Sequence, residues 1–181
     1  MSRIGNVLNN IPGSVSFALK GGVLTITGSK GSVVVYVDSN VSVDLTSGIK
    51  FSVIAGLNRK DHIKASAVCG TLVRIVGNAV NDVNNFFVAN INMVGVGLKA
   101  SVKNNFLYMF VGFSHDVVFK IWSGLDIKVV DAVNISISGI DRQKVMQFAS
   151  MIRGVKPPEP YKGKGLFVNG EKIIRKEVKK K

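Results

Sequence analysis

Two stretches of this chain read the same way, 84 residues apart. Setting Val41 on Leu125 places Val43 on Ile127, Leu45 on Val129, Ile49 on Val133, Phe51 on Ile135 and Val53 on Ile137. One residue of slippage later, Asn58-Arg59 meets Asp141-Arg142, and each pair opens a helical pattern. Alternation alone makes any two half-buried strands look alike. A shared cap and a following helix are harder to obtain by chance. The unit strand, turn, strand, cap, helix therefore occurs twice. It predicts an α+β fold of two similar small domains from an internal duplication, each a mostly antiparallel sheet with one packed helix.

The segments around the repeat fit this plan. Runs of about five β-branched or aromatic residues at 15–19, 23–27, 33–37, 41–45 and 49–54 are bounded by Gly, Ser, Asn or Asp, and read as strands joined by tight turns. Asn58 is a candidate N-cap with Asp61 three residues on, and Ile63, Ala67, Val68, Leu72, Ile75, Val76 and Ala79 follow at helical spacing to about Val80. Strand-like text resumes over 86–100, 106–112, 117–121, 125–130 and 133–138. Asp141 then caps a second helix with Val145, Phe148, Ala149 and Ile152 on one face. The expected domains are 1–82 and 83–155, followed by an extended basic Pro/Gly/Lys tail over 156–181.

Charge separates that tail from the rest. The net charge is +13, yet the last 29 residues hold ten of the 24 bases and only three of the 11 acids. A basic end on an apolar body points to a polyanionic partner, nucleic acid or an anionic membrane. Apolar residues make up 46% of the chain, which excludes disorder along its whole length. One cysteine, Cys69, excludes a disulfide scaffold, and with two histidines it leaves no four-ligand zinc site. No secretory signal is visible. The uncharged stretch Val83–Leu98 is too short and too rich in Asn to span a bilayer. Cytoplasm is the expected compartment.

Signals for catalysis are poor. Ser114-His115-Asp116 has the residue types of a triad, but consecutive side chains on a strand point apart, so it reads as a polar strand end or turn. His62 reads as surface and Cys69 as core. The eight aspartates are scattered and all three glutamates lie in the tail, which leaves no acid/base pair or metal cluster. Val94-Gly95-Val96-Gly97 lacks the third glycine and following helix of a dinucleotide loop. It is a bend within a sheet, or a bare backbone that admits a phosphate beside Lys99.

The tail carries the clearest chemistry. Pro157, Pro158 and Pro160 force extended backbone. Lys162 and Lys164 alternate with Gly163 and Gly165. The lysines suit phosphates, the glycines suit close backbone approach, and Tyr161 can stack on a base. Arg175, Lys176 and Lys179, Lys180 and Lys181 extend the basic surface. The composition of 156–181 predicts a segment unordered before binding, whose deletion leaves a folded body.

Pro158-Glu159-Pro160-Tyr161-Lys162-Gly163-Lys164-Gly165, with Arg175-Lys176-Glu177 and the terminal lysines, resembles the C-terminus of the bacterial-type large-subunit ribosomal protein L6 family. Met1-Ser2-Arg3-Ile4-Gly5, Val94-Gly95-Val96-Gly97-Leu98-Lys99-Ala100 and Gly112-Phe113-Ser114-His115 extend the likeness over nearly the whole chain. Departures are Asp116 in place of a frequent Pro, Phe167 in place of a frequent Arg, and Val178 in place of a common Gly. The resemblance implies two similar α+β domains and no catalysis. It also implies binding to large-subunit ribosomal RNA near the sarcin–ricin loop and stalk base, where translation factors dock, with neighbouring ribosomal proteins as further partners.

The expected RNA-binding residues are Lys156, Lys162, Lys164, Arg175 and Lys176 on phosphates, Gly163 and Gly165 at close approaches, and Tyr161 on a base. Lys179, Lys180 and Lys181 add charge. Arg142 and Arg153 at the two ends of the second helix, with Gly95, Gly97, Lys99, Ser114 and His115, complete the set. No cofactor, metal or small-molecule substrate is expected. A cytoplasmic and an organellar ribosome both fit. The alternative is a peripheral membrane or other polyanion-binding protein with a polybasic tail. That reading needs an amphipathic helix or lipid site beside the lysines, where the sequence has Pro and Gly.

Overall fold

The structure is a computed structural model and describes residues 7–8, 12–45 and 48–177. The chain divides into two compact units, Met1–Phe86 and Phe87–Lys181. In the first unit, strands β1 (Val7–Leu8), β2 (Ser16–Lys20), β3 (Val23–Gly28), β4 (Gly31–Tyr36), β5 (Val41–Asp44) and β6 (Ile49–Val53) precede helix α1 (Arg59–Asp82). They form two antiparallel sheets of order β1-β6-β5 and β2-β3-β4. In the second, β7 (Phe87–Val94), β8 (Lys99–Lys103), β9 (Phe106–Phe110), β10 (Val117–Lys120), β11 (Leu125–Asp131) and β12 (Asn134–Gly139) precede α2 (Arg142–Val155) and β13 (Gly165–Val168). Their sheets have order β11-β12-β7-β13 and β10-β9-β8.

The repeat is therefore one of topology. β1-β6-β5 corresponds to β7-β12-β11, and β2-β3-β4 to β8-β9-β10. The residue-by-residue alignment needs one correction. Val41 pairs with Val53, twelve residues on, whereas Leu125 pairs with Gly139, fourteen on. The second hairpin carries a register shift between Val129 and Asp131. A slip of two residues leaves every side chain on its original face, so hydrophobic alternation cannot detect it.

Both helices form where their apolar stripes predict them. α1 buries Ala65, Cys69, Leu72, Val73, Val76, Ala79 and Val80, and packs mainly on β6 and β3. By length and composition α1 could cross a bilayer; this packing makes it a core helix. The caps differ. The Asn58 side chain makes no capping hydrogen bond, while Asp141 accepts from the amides of Gln143 at 3.0 Å and Lys144 at 3.4 Å. The second capping signal is thus the stronger of the two. Desolvation pushes the Cys69 thiol above its ordinary pKa, in keeping with a core position.

α2 packs on β7, β12 and β13, with Phe148 at the centre of the second core, edge-on to Trp122 and Phe119. Two expectations fail here. The run 86–100 is two strands, because Gly95 and Gly97 take φ of 154° and 77° and turn the chain between β7 and β8. Residues 156–177 are not a separate tail. α2 continues through Gly154 to Val155, and Gly165–Val168 adds to the free edge of β7 as the fourth strand. Leu166 on that strand is fully buried. Deleting 156–181 would remove part of the core.

Candidate nucleic-acid interface

The chain leaves α2 through Lys156, whose successor Pro157 forces extended backbone. The segment returns as a loop closed at its base. Leu166 donates its amide to the Lys156 carbonyl at 2.9 Å, and Glu159 donates to Lys164 at 2.8 Å. Gly163 donates to the Glu159 carbonyl at 3.1 Å. Further on, Lys176 donates its amide to the Pro160 carbonyl at 2.8 Å, which straps 175–176 across the loop. Tyr161, Lys162 and Lys164 are exposed at its tip, with Arg175 and Lys176 beside them.

The two loop glycines have a different role from the one expected. Both are buried. A Cβ on Gly165 would lie 2.6 Å from Pro158 Cα and 2.8 Å from the Pro157 carbonyl oxygen, and one on Gly163 would lie 2.9 Å from the Arg175 guanidinium. The close approach they permit is to this chain itself, not to a foreign backbone. They let the lysine-bearing loop close.

Strand β13 draws the remaining candidates together. Gly165 pairs with Val94, so the loop ends beside the turn that carries Gly95, Val96 and Gly97 and leads to the exposed Lys99. Lys156 donates through Nζ to the Val111 carbonyl at 2.6 Å. That bond ties the loop base to Gly112-Phe113-Ser114-His115, where Phe113 and His115 stack with ring centroids 6.1 Å apart. Ser114 and His115 are exposed. Consecutive on a turn, Ser114, His115 and Asp116 form no relay.

Two arginines are engaged within the chain. Arg153 holds Glu171 through paired bonds, Nε to Oε2 at 2.7 Å and Nη2 to Oε1 at 2.6 Å. That hydrogen bonding lowers the Glu171 pKa below the ordinary glutamate range and raises that of Arg153. Arg142 lies 4.4 Å over the Phe87 ring. Both arginines are poorly placed for phosphates. Lys179, Lys180 and Lys181 lie outside the described residues. Sequence reasoning passed over Phe113, Glu171 and the exposed Lys172. Glu171, one of only three acids in so basic a segment, was the available signal for the internal pair.

The arrangement is a patch of ammonium groups and exposed rings on rigid backbone, suited to phosphates and unpaired bases. The family profile described as Ribosomal protein L6 matches residues 94–166. The chain is 43% identical over 180 residues to the "Large ribosomal subunit protein uL6" of Oenococcus oeni, covering 99% of this chain and 98% of that protein. It is 41% identical to the protein of that name from Parvibaculum lavamentivorans, over the full length of both. The chain belongs to the ribosomal protein L6 family. Membership makes it a structural protein, not an enzyme. The region matched by the L6 profile runs from Val94 to Leu166, and β13 lays its two ends side by side, Val94 opposite Gly165. It spans the glycine turn, the Phe113–His115 pair, α2 and the lysine loop.

Proposed function

We propose that this chain is a structural constituent of the large ribosomal subunit and holds ribosomal RNA near the sarcin–ricin loop and stalk base. The observation that carries the reading is full-length identity of about two residues in five to proteins named for the large subunit. The exposed patch of Tyr161, Lys162, Lys164, Arg175, Lys176 and Lys99 supports it. In this reading the lysines neutralise phosphates and fix register, while Tyr161 takes an unpaired base. β13 and the strap at Lys176 hold the patch preformed, which lowers the ordering cost of binding. Neighbouring ribosomal proteins at the stalk base are the expected protein partners, in a cytoplasmic ribosome.

The test is co-sedimentation with large subunits in high salt, with hydroxyl-radical footprinting of the bound RNA. The expected result is retention with the subunit and protection at the sarcin–ricin loop and stalk base. Retention with protection elsewhere would remove the assignment of place. Loss from the subunit, or association abolished by removing lipid and insensitive to ribonuclease, would remove the reading.

A further inference from the structure

The sheet β8-β9-β10 has an inner face that carries Ala100, Leu107 and Met109 into the core. Alternation then places Phe106, Tyr108 and Phe110 together on the outer face of its central strand. Phe106 is 36% exposed and Phe110 47%. Register sets their neighbours. On one side Lys99 lies opposite Phe110, Ser101 opposite Tyr108 and Lys103 opposite Phe106. On the other, Val118 lies opposite Tyr108 and Lys120 opposite Phe106. The three strands carry three lysines and no carboxylate. Asn104 and Asn105, at φ of 48° and 65°, close the β8–β9 hairpin in the two-residue turn that matches strand twist, so the row sits on a rigid ribbon.

Phe106 and Phe110 are exposed and Tyr108 between them is half-buried, and rings so placed gain nothing from facing water. Lysines bracketing them argue against a protein partner, because the buried parts of protein interfaces are depleted in lysine. Aromatic rings with ammonium groups at their flanks match the chemistry of unpaired nucleic acid, where bases stack and phosphates seek cations. Ring spacing points the same way. Alternate strand residues are about 6.8 Å apart, twice the roughly 3.4 Å between nucleotides of one duplex strand, so the row fits splayed bases and not a stacked duplex.

We propose that Phe106, Tyr108 and Phe110 form a stacking platform for a short unpaired stretch of RNA, with Lys99, Lys103 and Lys120 on its phosphates. It rests on and deepens the ribosomal reading; it shares Lys99 with the exposed patch but uses none of the residues of the loop 156–165. The platform selects single strands; the loop lysines Lys162 and Lys164 bind backbone of either form.

The test uses the full chain and a fluorescein-labelled ten-nucleotide RNA, free or annealed to its complement, followed by anisotropy. Wild type is expected to prefer the single strand. Phe106→Ser and Phe110→Ser should each weaken single-strand binding about fivefold or more and leave duplex binding unchanged. Tyr108→Phe keeps the ring and should bind as wild type. Lys162→Ala/Lys164→Ala should weaken both forms alike. If that variant loses affinity while the serine variants bind the single strand as wild type does, the platform is wrong and the ribosomal reading stands. Wild type with no single-strand preference also overturns the platform. Ultraviolet irradiation of assembled large subunits should leave a nucleotide adduct on the peptide containing Phe106–Phe110. Lysine-reactive cross-links from Lys103 or Lys120 to another protein, with no such adduct, would make the face a protein contact.

Discussion

Gly165→Ala tests the closing of the lysine loop on itself. The native φ of 144° is one that side-chain-bearing residues rarely adopt, a strain of about 1–3 kcal/mol. The new methyl would sit 2.6 Å from Pro158 Cα, where carbon contacts settle near 3.5 Å, so β13 or the Pro157-Pro158 backbone must shift by roughly 1 Å. That shift strains the bonds from Leu166 to Lys156 and from Glu159 to Lys164, each contributing about 0.5–1.5 kcal/mol. The expected loss is about 2–5 kcal/mol in the second unit. Trp122, the only tryptophan, packs 5.4 Å from Phe148 in that unit's core and reports its unfolding by fluorescence in urea. Gly163→Ala is the internal comparison. Its φ of 68° costs about 1–2 kcal/mol, but the group in the way is the movable end of Arg175, so it should be the milder change. If Gly165→Ala unfolds within about 0.5 kcal/mol of wild type, or Gly163→Ala is the worse of the two, the packing argument is refuted.

Two further outcomes follow from the same region. Deleting 156–181 removes β13 and the fully buried Leu166 with it, so the truncated chain should lose at least the roughly 2–5 kcal/mol of a large buried aliphatic. A Trp122 unfolding curve matching the intact chain would contradict this. Glu171→Gln should destabilise the protein at neutral pH. The folded-state pKa of Glu171 lies below its unfolded value, so its contribution is complete above the unfolded pKa and is lost as pH falls through the folded one. The gap between wild type and variant in urea midpoint should narrow once pH falls beneath the unfolded glutamate pKa and close beneath the lowered folded one. A gap that persists at low pH would mean that the carboxylate charge is not what Arg153 holds.

The duplicated plan was legible because strand alternation, turn residues and helical stripes are local properties. What escaped the sequence depends on contacts distant in the chain. β13 is a four-residue edge strand following three prolines, and only the free edge of β7 makes it a strand. The hairpin register slipped by two because side-chain alternation repeats every two residues. Gly163 and Gly165 were read as places where another molecule comes close. The sequence does not say what approaches, and the answer is the chain's own Arg175, Pro157 and Pro158. Arg153 was read as a free cation because its partner Glu171 lies eighteen residues away. The charge pattern showed at which end the bases gather; folding decides which of those charges remain free.

The central claim is that ribosomal RNA is held by free lysines on a preformed loop. It is tested most directly by the salt dependence of binding to a large-subunit RNA fragment, compared between wild type and Lys162→Ala/Lys164→Ala. Each lysine that neutralises a phosphate contributes about one unit to the slope of log affinity against log salt. The account predicts weaker binding by the variant and a slope shallower by about two. Equal affinity and equal slope would contradict it.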